Sequence, residues 1–230
     1  MNKYLLAFSL FLLSVCCSHA QSNLQDSLLR AIIEMEYHPD SADLRLKKAG
    51  INLLLEQWQI AKDEYDIILR REPENVAALF FRAYANEKLR RYHFARLDYE
   101  SLLYVVPNHF EARLGLALLN QKDQHYTEAY DQLNALVEQF PDSAIAYAAR
   151  AGVEAERQMD ELAEYDYSVA LKMEPDHIDW LLAHADLCIR LKRFDVAREE
   201  LDRLVSLGVA RASLSDYYNR LESRKKNKRK

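Results

Sequence analysis

At 230 residues the chain is long enough for one sizeable domain and short for two. It is 50% hydrophobic and 29% charged, which excludes a disordered chain, and its four scattered glycines supply few turns for an all-β fold. Helix formers (Leu, Ala, Glu, Lys, Arg) dominate, and the formal net charge is −5.

The segment 1–20 stands apart from the rest. Lys3 supplies a positive start, Leu5 to Val15 is an apolar run, and Ser18-His19-Ala20 places small residues at the two recognition positions of a signal-peptidase site. The pattern predicts a signal peptide over 1–20, cut before Gln21, and a periplasmic or secreted protein. The apolar run is too short to span a membrane, since a spanning helix needs about 20 apolar residues. A second form of export is open. Leu13-Ser14-Val15-Cys16 is similar to a bacterial lipobox, which would lipidate Cys16 and anchor the protein, but Val15 departs from the small residue that pattern prefers. After cleavage at Gln21 only Cys188 remains, so an intramolecular disulfide is excluded and stability must come from packing. Between Leu187 and Ile189, Cys188 reads as a buried, inert thiol.

Beyond the leader the chain is periodic. Pro39, Pro73, Pro107, Pro141 and Pro175 are all of its prolines, and they recur at one constant interval of thirty-four positions. Ala49, Ala83, Ala117, Ala151 and Ala185 keep the same step, as do Ala61, Ala95, Ala129, Ala163 and Ala197. Trp58, Tyr92, Tyr126 and Phe194 stand three residues before the second series, with Asp160 as the exception. Each period holds two apolar-periodic stretches, such as Val76 to Lys88 and Tyr92 to Tyr104, which predict a pair of amphipathic helices. The alanines let the paired helices approach closely, the aromatic fills the wedge beside their turn, and proline stops the second helix. The polar residues after each proline can cap the helix that follows.

With Ala42, Val76, Phe110, Ala144 and Ile178 opening successive units, these alanines, aromatics and prolines resemble the tetratricopeptide repeat family. Tyr65, Tyr99 and Tyr167 occupy a further aromatic position of that family, with Leu133 and Leu201 as acceptable substitutes. The resemblance covers residues 42 to about 208. It implies an all-α fold, a right-handed α-solenoid of antiparallel helix pairs with about 12 helices after removal of the leader. The units run 42–75, 76–109, 110–143, 144–177 and 178–210. A capping helix over 21–41 precedes them, a second over 211–223 follows, and the basic tail 224–230 reads as disordered. Two departures stand out: alanine replaces the glycine often found at the first alanine site, and Val209 replaces the last proline, where Gly208 can end the helix.

Catalytic motifs are missing. Four glycines cannot build a phosphate loop, no HExxH or mature CxxC occurs, and adjacent acids such as Asp63-Glu64 point different ways on a helix. His177, Asp179 and His184 match no ligand spacing, so neither metal, cofactor nor enzymatic activity is expected. The resemblance instead implies a binding groove lined by the first helix of each unit. Here that places Phe80, Tyr84, Glu87 and Lys88 in the second unit, and Leu114, Leu118 and Gln121 in the third. Ile145 and Gly152 represent the fourth, and Leu182 and Asp186 the fifth. An apolar middle between charged edges suits an extended peptide or an amphipathic helix. Leu46 and Gly50 stand where some relatives carry a Lys-Asn clamp for a C-terminal carboxylate, which argues against a chaperone-tail receptor.

The expected role is a non-catalytic scaffold or adaptor of the bacterial cell envelope, with a protein or peptide partner. A small-ligand or glycan carrier using Trp58 and Tyr84, and a self-associating homo-oligomer, are the alternatives. Six of the last seven residues are basic. With these and Lys3 set aside the acidic excess rises from 5 to 12, so the tail either neutralises an acidic body or contacts an anionic membrane, lipopolysaccharide or nucleic acid. Nucleic acid is the disfavoured partner, because no aromatic residue interleaves with these charges.

Overall fold

The computed structural model describes residues 22–227. Every regular element among them is helical. The chain runs α1 (22–37), α2 (Ala42–Leu54), α3 (Trp58–Arg71), α4 (Val76–Lys88), α5 (Tyr92–Val105), α6 (Phe110–Lys122) and α7 (Tyr126–Gln139). It continues with α8 (Ala144–Glu156), α9 (Asp160–Met173), α10 (Ile178–Arg190) and α11 (Phe194–Ser206), then a 3₁₀ turn (Arg211–Leu214) and α12 (Ser215–Asn227). The leader, its cleavage site and Cys16 lie outside the described residues.

Local chemistry sets these boundaries. The side chain of Ser41 accepts from the Leu44 N–H, Asn75 from Ala78 and Ser143 from Ala146, so three first helices are capped two residues after a proline. In the third unit His109 Nδ1 does the same for Ala112 at 3.3 Å. The second helices end against the prolines. Glu72, Val106, Phe140 and Glu174 each precede one and adopt φ between −126° and −129°, out of the helical region.

The turns inside the units use a device without glycine. Glu56, Arg90, Gln124, Gln158 and Lys192, again one to each period, take φ of 57° to 65°. Each lets the next N–H reach back five residues: Gln57 to the Asn52 carbonyl, Arg91 to Asn86, His125 to Asn120, Met159 to Glu154 and Arg193 to Cys188. This Schellman closure satisfies carbonyls at the end of each first helix. After α11 the left-handed residue is Gly208, at φ 97°.

Two compact units divide the chain between Ala112 and Arg113, within α6. In the first, α2 packs on α3, α3 on α4 and α4 on α5. Its interior holds Ala49, Ala61, Ala83 and Ala95 at 0% exposure, with Tyr65, Ile68, Tyr99 and Leu102 filling the space around them. In the second, α7 packs on α8, α8 on α9, α9 on α10, and α12 closes against α10 and α11. Ala117, Ala129, Ala151, Ala163, Ala185 and Ala197 are likewise fully buried, and Leu214, Tyr218 and Leu221 seal the last hydrophobic cluster. Each fully buried leucine contributes about 1.5–3 kcal/mol of burial free energy.

Two details at the C-terminal end differ from the sequence reading. The capping segment opens with a 3₁₀ turn before it becomes α-helical. The helix then runs through Asn227, so residues 224–227 of the basic block are helical rather than disordered. Arg and Lys are strong helix formers.

Candidate binding surface

In the first compact unit, the residues assigned to the groove on α4 form two aromatic groups. Phe80 is half-buried, meeting Tyr99 edge-on at 6.0 Å and stacking on His109 at 5.8 Å. Tyr84 meets Trp58 edge-on at 6.0 Å, and the Lys88 ammonium stands 5.0 Å from the Tyr84 ring and 5.8 Å from that of Trp58. A cation shared by two electron-rich rings stiffens this patch while leaving its surface amphipathic. Glu87 is half-buried one residue before Lys88.

In the second compact unit the assigned residues differ in accessibility. Leu118 and Ile145 are 40% and 46% exposed, whereas Leu114 is buried at 8%. At Gly152 an added Cβ would stand 3.7 Å from Gln121 Nε2 and 3.8 Å from the Tyr167 hydroxyl, so the glycine leaves a notch just large enough for a methyl group. Leu182 packs onto the cluster sealed by α12. Asp186 is held by Arg220 of α12 at 2.6 Å and by Arg190 at 3.4 Å.

A second set of residues, unmarked by the alanine and proline grammar, lies on the other side of the first helices. In four of the five repeats a basic side chain there reaches an acid on the second helix of the same repeat. The pairs are Lys48–Glu64 (2.5 Å), Arg82–Asp98 (2.5 Å), Arg150–Asp166 (2.6 Å) and His184–Glu200 (2.5 Å). Where the third repeat has Leu116 instead, Asn120 donates to Gln132 at 2.9 Å. The two arginines also reach the preceding second helix, Arg82 to Asp66 at 2.8 Å and Arg150 to Asn134 at 3.1 Å. Four residues further along each first helix stand Asn52, Asn86, Asn120, Glu154 and Cys188, all buried. Each repeat therefore carries an internal polar column.

The column's electrostatics follow from burial. Burial raises the Asp98 carboxyl above its ordinary value despite Arg82. Burial, then the charge of Asp166, lifts Glu154 to about 7. Burial opposes charge on His184, yet its contacts with Cys188 and Glu200 raise the imidazole to about 10. In the first compact unit the column borders a cleft of about 400 Å³ whose walls include Lys62, Asp66, Arg82, Asn86, Arg91 and Phe94. Opposite charges at a constant offset between paired helices, and asparagines recurring with the period on an apolar face, are the sequence signals that could have revealed this column.

Comparison with known proteins agrees with this architecture. The family model described as tetratricopeptide repeat matches residues 53–105. Among solved structures, a tetratricopeptide repeat protein from Parabacteroides merdae ATCC 43184 aligns with a TM-score of 0.69 at 20% identity, covering 89% of this chain and 80% of its own. Pseudomonas aeruginosa PilF aligns at 0.71 and 16% identity, covering 81% of this chain and 85% of its own. YrrB, described as a tetratricopeptide repeat protein with an unusual peptide-binding site, aligns at 0.60 and 16% identity, covering 85% and 97%. No curated protein matches. Helix pairs on a constant step, the fully buried periodic alanines and these matches show that the chain has the tetratricopeptide repeat fold, with the family's own sequence model matched over residues 53–105.

Proposed function

We propose that this protein is a non-catalytic adaptor of the bacterial cell envelope that holds a peptide or helix against the first helices of its repeats. Tetratricopeptide repeat proteins generally serve as interaction scaffolds, and YrrB is described as having a peptide-binding site. The observation that carries the reading is the amphipathic face of α4 in the first compact unit, where Tyr84 and Lys88 stand with Trp58. Within the second unit, taken by itself, Leu118 and Ile145 keep 40% and 46% of their surface open. Rigid aromatics and accessible aliphatics beside charges are what a peptide with hydrophobic anchors requires. The envelope setting rests on the leader pattern over 1–20.

The test is crosslinking and affinity capture from the envelope fraction with the wild type and a Tyr84→Ala/Leu118→Ala variant. The wild type should recover a partner that the variant loses at unchanged helical content. Equal recovery by the variant refutes the surface. Full-length protein that stays in the cytoplasmic fraction, unprocessed, refutes the setting.

A further inference from the structure

We propose that Glu164, His184 and Cys188 form a binding site for a borderline divalent cation such as Zn(II), with Glu200 as the residue that orients the histidine. Their donor atoms lie within 4.8 Å of one another. His184 Nε2 stands 3.8 Å from Cys188 Sγ and 3.7 Å from Glu164 Oε1. A tetrahedral ion with bonds of about 2.0–2.3 Å sets its ligands about 3.4–3.6 Å apart. Both distances from Nε2 are close to this, and the thiol and the Glu164 carboxylate close on each other from at most 4.8 Å.

The other ring nitrogen completes the argument. Nδ1 of His184 is 2.5 Å from the Glu200 carboxylate, which fixes the ring and aims Nε2 at the thiol and at Glu164. A carboxylate behind a ligating imidazole is the usual outer support of such an ion, and it raises the basicity of the nitrogen that binds. Thiolate, imidazole and carboxylate together suit Zn(II) and its neighbours better than Mg(II) or Ca(II).

Comparison among the repeats shows that this set departs from the chain's own pattern. The same places three periods earlier hold Lys62, Arg82 and Asn86, three residues poorly suited to ligate a cation, which there border the cleft. Glu164, His184 and Cys188 thus exchange a non-ligand for a ligand at three places that meet in space. The seventh residue of the other repeats is Lys48, Arg82, Leu116 or Arg150, and the eleventh is Asn52, Asn86, Asn120 or Glu154. Histidine and cysteine occur at these places only in the fifth.

Access runs past Arg193. Its guanidinium pairs with Glu164 while about half of its side chain faces solvent, so it can swing outward as an ion enters. Cys188 and His184 are buried at 0% and 4% exposure, which shields the bound ion from competing water. Uptake displaces the protons of thiol and imidazole.

The experiment is titration of the full-length protein with Co(II), followed by Zn(II). One equivalent of Co(II) should produce an intense near-ultraviolet thiolate-to-cobalt band with four-coordinate visible absorption, and Zn(II) should displace it. Cys188→Ser should abolish the band, and Glu164→Gln and Glu200→Gln should each weaken binding by roughly 10–100-fold. Glu164 and Glu200 lie at the edge of the core, so these two variants keep the test decisive where Cys188→Ser fails to fold. A wild type without the band overturns the site, leaving the His184–Glu200 ion pair alone. So does a band that survives in Cys188→Ser, which would place the ion on Cys16 or Cys17.

Discussion

Glu154 offers the sharpest test of the polar column. It is 2% exposed, and its place in three other repeats is taken by asparagine. Burial first, and the nearby charge of Asp166 second, raise its carboxyl from 4.5 to about 7. The folded protein therefore holds this proton more tightly than the unfolded chain does. The contribution to stability is full below pH 4.5 and is lost as pH rises through about 7. The interval from 4.5 to about 7, at about 1.4 kcal/mol per pH unit, amounts to roughly 3 kcal/mol. Glu154→Gln keeps the shape and removes the charge. Urea denaturation at pH 8 should show the variant more stable by about 2–3 kcal/mol, and at pH 4.5 the difference should vanish. If the two proteins differ equally at both pH values, burial of a charge at this position is not what the variant relieves.

The other predictions concern caps, pairs and core. Gln158→Gly, at a left-handed exposed position, should raise stability by about 0.5–1 kcal/mol, read as a higher urea midpoint, because glycine adopts this φ without strain. Arg82→Met should cost about 3–5 kcal/mol by stranding Asp98 in the interior, and Arg82→Met/Asp98→Leu should recover most of the loss in the same assay. Leu119→Ala, at a fully buried site, should cost about 2–5 kcal/mol, visible as a lower thermal midpoint with native helical content at low temperature.

What could be read from the sequence was whatever repeats in residue type. Proline cannot continue a helix and alanine permits close helix contact, so both leave a one-letter mark at every unit. Helix ends closed by a left-handed Glu, Arg, Gln or Lys leave none, because glycine, the usual signal, is absent from Glu56, Arg90, Gln124, Gln158 and Lys192. The polar column was hidden for a related reason: its slots keep the ability to pair, not the residue. The groove was legible as a face and not as a surface. The phase of the repeat named Leu114 and Asp186, but the fold buries the first and hands the second to Arg220, one period on. The helical stretch of the basic block was missed because a run of like charge suggests repulsion, whereas Lys and Arg are each good helix formers.

The polar column bears on how such a chain avoids folding against itself. Units with the same alanines and prolines offer nearly interchangeable apolar faces, so hydrophobic packing alone distinguishes poorly between a helix's own partner and its equivalent in the next repeat. The column differs from unit to unit. Arg150 docked on α7 in place of α9 would meet Gln132 where Asp166 belongs, and a buried charge without its counter-ion costs several kcal/mol. The pairs thus serve as addresses, marking each helix for the neighbour it must find.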